Sequence, residues 1–249
     1  MERRHLLEAV STESTALLDA ARSAAPGAAV PGCPGWTVED LVGHVAAVHH
    51  FWTYMVREGA STPEGYEAPT RPEPGSASLE TLLDLAADRA AELLGVLRSA
   101  DPDAFVWTWT GAQPSDWVVR RMAQETAVHR IDAEQAAGRT GRLDAALAAD
   151  GVDEFLSAFL ARQRAGAAPL TGTVHLHCTD ADGEWTVAQH EDGEYSVVRE
   201  HAKGDVALRG EAHDLLMVLW RRAGLDAVTV FGDAGLAADF VGASTPAAG

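Results

Sequence analysis

Cysteine is scarce in this chain. Only Cys33 and Cys178 occur among 249 residues. They form no CxxC or ligand-spaced set, so a disulfide framework is not expected and any metal site would draw on histidine and carboxylate. Basic residues are also few, 19 against 37 acidic ones, for a formal net charge of −18. With no basic stripe, such a surface repels phosphate backbones and argues against nucleic-acid binding. Long apolar runs are missing: nothing approaches the roughly 18 residues of a membrane span. The first residues, Met1 to Glu8, carry charge and lack the apolar centre of a signal peptide. A cytoplasmic protein without membrane contact is the expectation. A GxSxG nucleophile elbow and a phosphate-cradling glycine loop are absent too. What is present is 47% hydrophobic residues, enough to bury one large domain or two ordinary ones.

Helical periodicity dominates the first two thirds. Leu6, Leu7, Val10, Leu17 and Leu18 predict a helix over 3–24, and Val30-Pro-Gly-Cys-Pro-Gly35 breaks it. Thr37 is placed to cap a second helix to about Arg57, with Asp40 completing the cap and Trp36 stapling onto Leu41. A polar Pro/Gly-rich loop covers 59–76, and Ser78 caps a third helix to about Ser99. Val106 to Thr110 is short, aromatic and β-branched, and its state stays open. A helix then runs from Ser115 to Gly138 and another from about Asp144 to Gln163. Residues 1–164 thus read as a four-helix bundle with one extra element. Beyond a linker at 165–169, alternation at Val174, Leu176 and Cys178 and turns at 180–183 and 191–193 predict hairpins. A strand at 206–208, a helix at 211–223, a strand at 228–230 and a helical tail complete a small α+β domain over 170–245 with a short antiparallel sheet. The fold class is α+β.

Two residues of the helix 115–138 stand out. Taking Trp117 as zero and advancing about 100° per residue, the apolar side chains Trp117, Val118, Met122, Val128 and Ile131 centre near 60°. Glu125 lies near 80°, His129 near 120° and Asp132 near 60° on the same wheel. A carboxylate and an imidazole therefore take positions where hydrophobic side chains would be the default. An ionised carboxylate buried without a partner costs several kcal/mol. A divalent metal ion is the leading candidate for the partner, with a buried Glu–His pair tied to an arginine as the alternative. Arg120, Ala123, Arg130 and Glu134 fall on the back, where solvent is expected.

A metal centre needs a third ligand. The second helix offers His44 and His49, which flank its apolar arc roughly 140° apart, whereas His50 lies opposite and reads as solvated. Periodicity does not choose between His44 and His49. Asp132 could orient a ligand histidine from behind or tie to Arg121. Cys33, near a helix start, reads as a structural loop residue rather than an activated thiol. His175 and His177 have strand spacing for one face but flank no carboxylate cluster, and read as solvated.

Three stretches carry a family resemblance: Cys33-Pro-Gly-Trp-Thr through His44, Arg121 through Glu134, and Leu208 through Arg222. In combination and order they resemble the mycothiol-dependent maleylpyruvate isomerase family, within the wider DinB-like metal-binding helical bundles, over nearly the whole chain. The resemblance implies a divalent metal, usually zinc, on His44, Glu125 and His129, with an open position for water or thiol. It implies mycothiol as thiol cofactor or cosubstrate and an anionic small-molecule substrate. A metal-held thiolate would add to the cis double bond of maleylpyruvate, and rotation and thiolate loss would give fumarylpyruvate. Arg222 takes the place of the cation for the anionic substrate, with Arg221 adjacent. The Ala-, Arg- and Gly-rich composition suits an actinobacterial source, where this thiol occurs. Thiol transfer to another electrophile is the related activity, and a non-catalytic metal- or ligand-binding protein is the alternative from another class.

Overall fold

The computed structural model describes residues 1–68, 77–163 and 166–242. The chain divides into two compact units, Met1–Arg142 and Leu143 onward.

The first unit has four long helices: α1 (Arg3–Ser23), α2 (Val38–Arg57), α3 (Leu79–Ser99) and α4 (Ser115–Ala136). Thr37 and Asp40 form the expected reciprocal cap on α2, and Ser78 caps α3 through Thr81 N–H. Helices α1 and α2 each pack against both α3 and α4. Leu17, Val38, Leu41, Val42, Val45, Leu82, Leu83 and Ala133 make up much of the shared core. Burial of apolar area at about 25 cal/mol per Å² is the main force holding these helices together. The undecided segment near Val106 is a strand, β1 (Phe105–Thr108), paired antiparallel with β2 (Gly111–Pro114). Its tight turn places Gly111 at φ 100, a left-handed conformation that glycine adopts without steric penalty. The extra element beside the four helices is therefore this hairpin.

Helix α4 departs from the wheel. Ala123, Ala127 and Ala133 on its far side are fully buried, and Arg130 is only 7% exposed. The far side packs along α1, so a helix expected to have a wet back lies in the middle of its unit. Arg130 is not solvated: it donates to Glu13 at 2.7 Å, to Glu134 at 2.8 Å and to the Arg142 carbonyl at 3.0 Å.

The second unit begins with α5 (Ala145–Glu154), capped by the Asp144 carboxylate, followed by one π turn (Phe155–Phe159) and a short α6 (Leu160–Gln163). The sequence reading groups this segment with the bundle up to residue 164, whereas here it belongs to the second unit. Non-local partners explain the difference. Phe155 and Phe159 pack edge-on to Trp220 at 5.1 and 5.0 Å between ring centroids. Asp153 accepts from the Trp185 indole at 2.9 Å and pairs with Arg199.

Five strands form the sheet, β3 (Val174–Cys178), β4 (Glu184–Gln189), β5 (Tyr195–Val198), β6 (Val206–Gly210) and β7 (Thr229–Gly232), in the order β5-β4-β3-β6-β7. The two expected hairpins join β3 to β4 and β4 to β5. The expected sheet is antiparallel, yet β3 and β6 run parallel because the chain after β5 returns across the sheet to pair with β3. Helix α7 (Ala212–Leu219) packs on α5, and α8 (Ala234–Gly242) lies against β3, β6 and β7. Val174, Leu176, Cys178, Val206 and Leu208 are buried in its core. Parts of the expected loop (69–76), linker (164–165) and C-terminal domain (243–245) lie outside the described residues. No described helix is long and apolar enough to cross a membrane.

Candidate metal centre

The turn ahead of α2 and the middle of α4 build this centre from within the first unit. A bridge between Ala29 and Thr37, with Val30 N–H donating to Trp36 O at 3.0 Å, closes the Pro/Gly-rich turn. That closure sets Trp36 4.9 Å from the His44 ring and 6.4 Å from the His129 ring, centroid to centroid. His44 comes from α2, and Glu125, His129 and Asp132 come from consecutive turns of α4.

One carboxylate oxygen collects both imidazoles. Glu125 Oε1 lies 3.1 Å from His44 Nε2 and 3.3 Å from His129 Nε2, and the two rings meet edge to face at 5.0 Å. The other oxygen, Oε2, accepts from Arg121 at 2.9 Å. Behind His129, Nδ1 donates to Asp132 Oδ2 at 2.9 Å, and Cys33 Sγ donates to that same oxygen at 3.5 Å. Of the two pairings open for Asp132, the histidine one is formed, and Arg121 pairs with Glu125. Cys33 thus touches the centre through Asp132, a contact that its distance in sequence concealed. The structure brings His44, and not His49, to Glu125. His49 is fully buried and sits 3.1 Å from Thr126 Oγ1. Arg222 belongs to the second unit, where it donates to the Trp220 carbonyl at 3.0 Å and lies over the Trp220 ring at 5.9 Å. Arg221 beside it takes a left-handed conformation at φ 59.

Charge in the centre is finely balanced. Burial alone would raise the Glu125 carboxyl, but His129, His44 and Arg121 outweigh it and hold the group well below the usual carboxylate range. Burial alone would lower His129, but Glu125, Asp132 and Cys33 hold it well above the usual imidazole range. The donor set suits a divalent ion. His44 Nε2, a Glu125 oxygen and His129 Nε2 lie within 4.8 Å of one another. Two imidazoles and one carboxylate form a zinc-type three-ligand set that leaves a position open. With Nδ1 engaged by Asp132, His129 has its Nε2 for the ion, the carboxylate–histidine arrangement common behind metal ligands.

His49 supplies a pH prediction. Burial pushes it down to about 4, with the neighbouring imidazoles adding to the effect and Glu125 opposing it. Its folded pKa lies below the unfolded value near 6.5. The unfolded chain therefore binds the proton first, and stability falls as pH drops from about 6.5 towards 4. The contribution is on the order of 3 kcal/mol at about 1.4 kcal/mol per unit. Chemical denaturation at pH 7 and pH 4 should show the parent losing more stability than His49→Gln by that amount. Equal losses would show that His49 does not contribute.

The model of the mycothiol maleylpyruvate isomerase N-terminal domain matches residues 7–134, more than half of the chain and the whole of the centre. The chain belongs to the mycothiol maleylpyruvate isomerase family. The family's C-terminal domain model matches residues 146–239. Two solved structures are similar in fold. The mycothiol-dependent maleylpyruvate isomerase aligns over 92% of this chain and 93% of its own, at a TM-score of 0.62 and 15% identity. A variant of that isomerase with one histidine replaced by alanine aligns over the same shares at 0.61 and 15%. No curated protein matches the chain in sequence. The C-terminal family match begins at residue 146, close to the start of the second unit at Leu143.

Proposed function

We propose that this chain is a metal-dependent enzyme that uses mycothiol, a small thiol, for cis–trans isomerisation of a maleylpyruvate-like substrate, with thiol transfer to an electrophile as the related activity. The convergence of His44, Glu125 and His129 carries this reading, in a chain matched by both domains of the family. A divalent ion held there, zinc by its donor set, would keep a thiol deprotonated at neutral pH and polarise a nearby carbonyl.

The chain's own residues do the rest. Arg121 fixes one Glu125 oxygen, so the other stays turned towards the two imidazoles. Asp132 holds the His129 proton on Nδ1 and so leaves Nε2 as the donor atom. Trp36 covers the two rings and limits water on that side. In this reading Arg222 supplies the positive charge that an anionic substrate requires. A cytoplasmic setting follows, because thiols stay reduced there.

The test uses full-length chain without a histidine tag, loaded with zinc and mixed with maleylpyruvate in the presence or absence of mycothiol. Fumarylpyruvate should form only with the thiol present. A thioether product instead would identify the transferase activity. Metal and thiol binding without turnover across a panel of electrophiles would overturn the enzyme reading and leave a binding protein.

A further inference from the structure

The second unit carries a cluster of ionisable side chains that the centre on α2 and α4 does not use. His175 and His177 alternate on β3 with the buried Val174, Leu176 and Cys178, so both imidazoles stand on the opposite face of the sheet. The register pairs His177 with Glu184 at the start of β4. His201 comes from the connection between β5 and β6. That connection returns to β3 at Gly204, where a Cβ would lie 3.0 Å from His175 N and 2.8 Å from Val206 O. The lack of a side chain lets it come this close. In sequence these histidines read as solvated, because no carboxylate cluster stands beside them. The carboxylate instead arrives by cross-strand pairing, and the third histidine by a loop.

Three imidazoles converge on one carboxylate. Glu184 Oε1 is 2.5 Å from His177 Nδ1, and Glu184 Oε2 is 2.8 Å from His201 Nδ1. His175 Nε2 lies 3.7 Å from Glu184 Oε2, beyond hydrogen-bond reach, and has no other hydrogen-bond partner despite burial. His175 is only 6% exposed. A buried ring nitrogen left without a bond is costly and needs an explanation. At 3.7 Å the Glu184 carboxylate does not provide it. One ligand atom from each of the four residues lies within 4.8 Å of the others.

We propose that His175, His177, Glu184 and His201 form a second divalent-metal site, of the zinc class and structural rather than catalytic. Three imidazole nitrogens and one carboxylate oxygen fill a tetrahedral shell, which leaves no position for substrate. Ligand atoms around one such ion sit about 3.3 Å apart, given bonds of 2.0–2.1 Å. His201, exposed on its loop, and Glu184 are the side chains that would turn to bring the set to that spacing. Bound there, the ion joins β3, β4 and the loop before β6, and supplies the missing partner for His175 Nε2.

The experiment compares metal content of the parent chain with that of His177→Ala/His201→Ala, both full length, untagged and equilibrated with excess zinc before gel filtration. The side chains of His177 and His201 are 30% and 79% exposed, so their removal leaves no large cavity. The double variant should bind one zinc fewer per chain than the parent, whether or not the centre on α2 and α4 is loaded. Glu184→Gln should show the same deficit, and cobalt substitution should show the four-coordinate visible bands in the parent and lose part of that intensity in both variants. Equal zinc counts in parent and double variant would overturn the proposal.

Discussion

Glu125→Gln should fold and should bind one metal ion fewer per chain than the parent. Glutamine keeps the shape of the side chain but removes the only negative charge among the three proposed ligands. Both imidazoles face the Glu125 oxygen that would join them on the ion, at 3.1 and 3.3 Å. Outer-shell substitutions typically cost 10–100-fold in metal affinity, so loss of an inner ligand should exceed about a hundredfold. Thiol-dependent turnover should fall with the metal. Stability should change much less. The amide oxygen still accepts from Arg121, and exchanging a charged for a neutral acceptor costs about 1–3 kcal/mol. Metal analysis beside a thermal melt checks both parts. An unchanged metal count would remove Glu125 from the centre, whereas a collapsed melt would show that its main partner is Arg121. The His177→Ala/His201→Ala background can carry the same substitution, so that zinc counted there reports on α2 and α4 alone.

The sequence exposed those parts of the molecule that depend on neighbours in the chain. The cap on α2 needs only Thr37 and Asp40, three residues apart, and forms as expected. Hairpins at β3–β4 and β4–β5 follow from alternation and turn residues in short windows. Elements decided by distant partners were less visible. The segment from α5 to α6 looks like one more bundle helix until Trp220 arrives between Phe155 and Phe159. The wheel for α4 assumed one dry face, but a helix packed on both α1 and α2 buries nearly its whole circumference.

The two histidines of α2 show the limit at the scale of a site. Their angular separation is real, and both point at α4, at adjacent residues. His44 meets Glu125 and His49 meets Thr126. Periodicity places both beside the apolar arc, and only the partner helix separates a charged neighbour from a hydroxyl. Asp132 repeats the lesson. Its wheel position announces burial, but both His129 and Arg121 are compatible with its place on α4, and the bond to His129 rests on which rotamers the packed unit allows. His175 and His177 go further: Glu184 and His201 join them only through strand pairing and a return loop, neither of which the strand's own residues encode.

Arg130→Ala should destabilise the first unit by about 3–5 kcal/mol, the cost of removing one partner from a buried ion pair. The guanidinium joins Glu13 on α1, Glu134 one turn along α4 and the Arg142 carbonyl at the end of the unit. Exposure of the three side chains is low, at 8% for Arg130, 12% for Glu13 and 17% for Glu134. Alanine would leave two carboxylates with little access to water and no cation between them. The chain after α4 closes over this network: a Cβ at Gly141 would strike Glu134 Oε2, so glycine is what permits the approach. For a protein of this size the loss corresponds to a fall in Tm of roughly 6–20 °C. Arg22→Ala is the control. Arg22 pairs with Asp19 on the same helix and with Glu80 on α3, its own side chain half exposed and both carboxylates about two-thirds exposed, and such surface pairs contribute about 0.2–1 kcal/mol. Similar melts for the two variants would mean that the Arg130 network does not hold α1 to α4, and that apolar packing with the Arg3–Asp116 pair suffices. A large gap would make this arginine, which the wheel places towards solvent, a buried ionic tie between α1 and the helix that carries Glu125 and His129, beside the Arg3–Asp116 pair at the start of both helices.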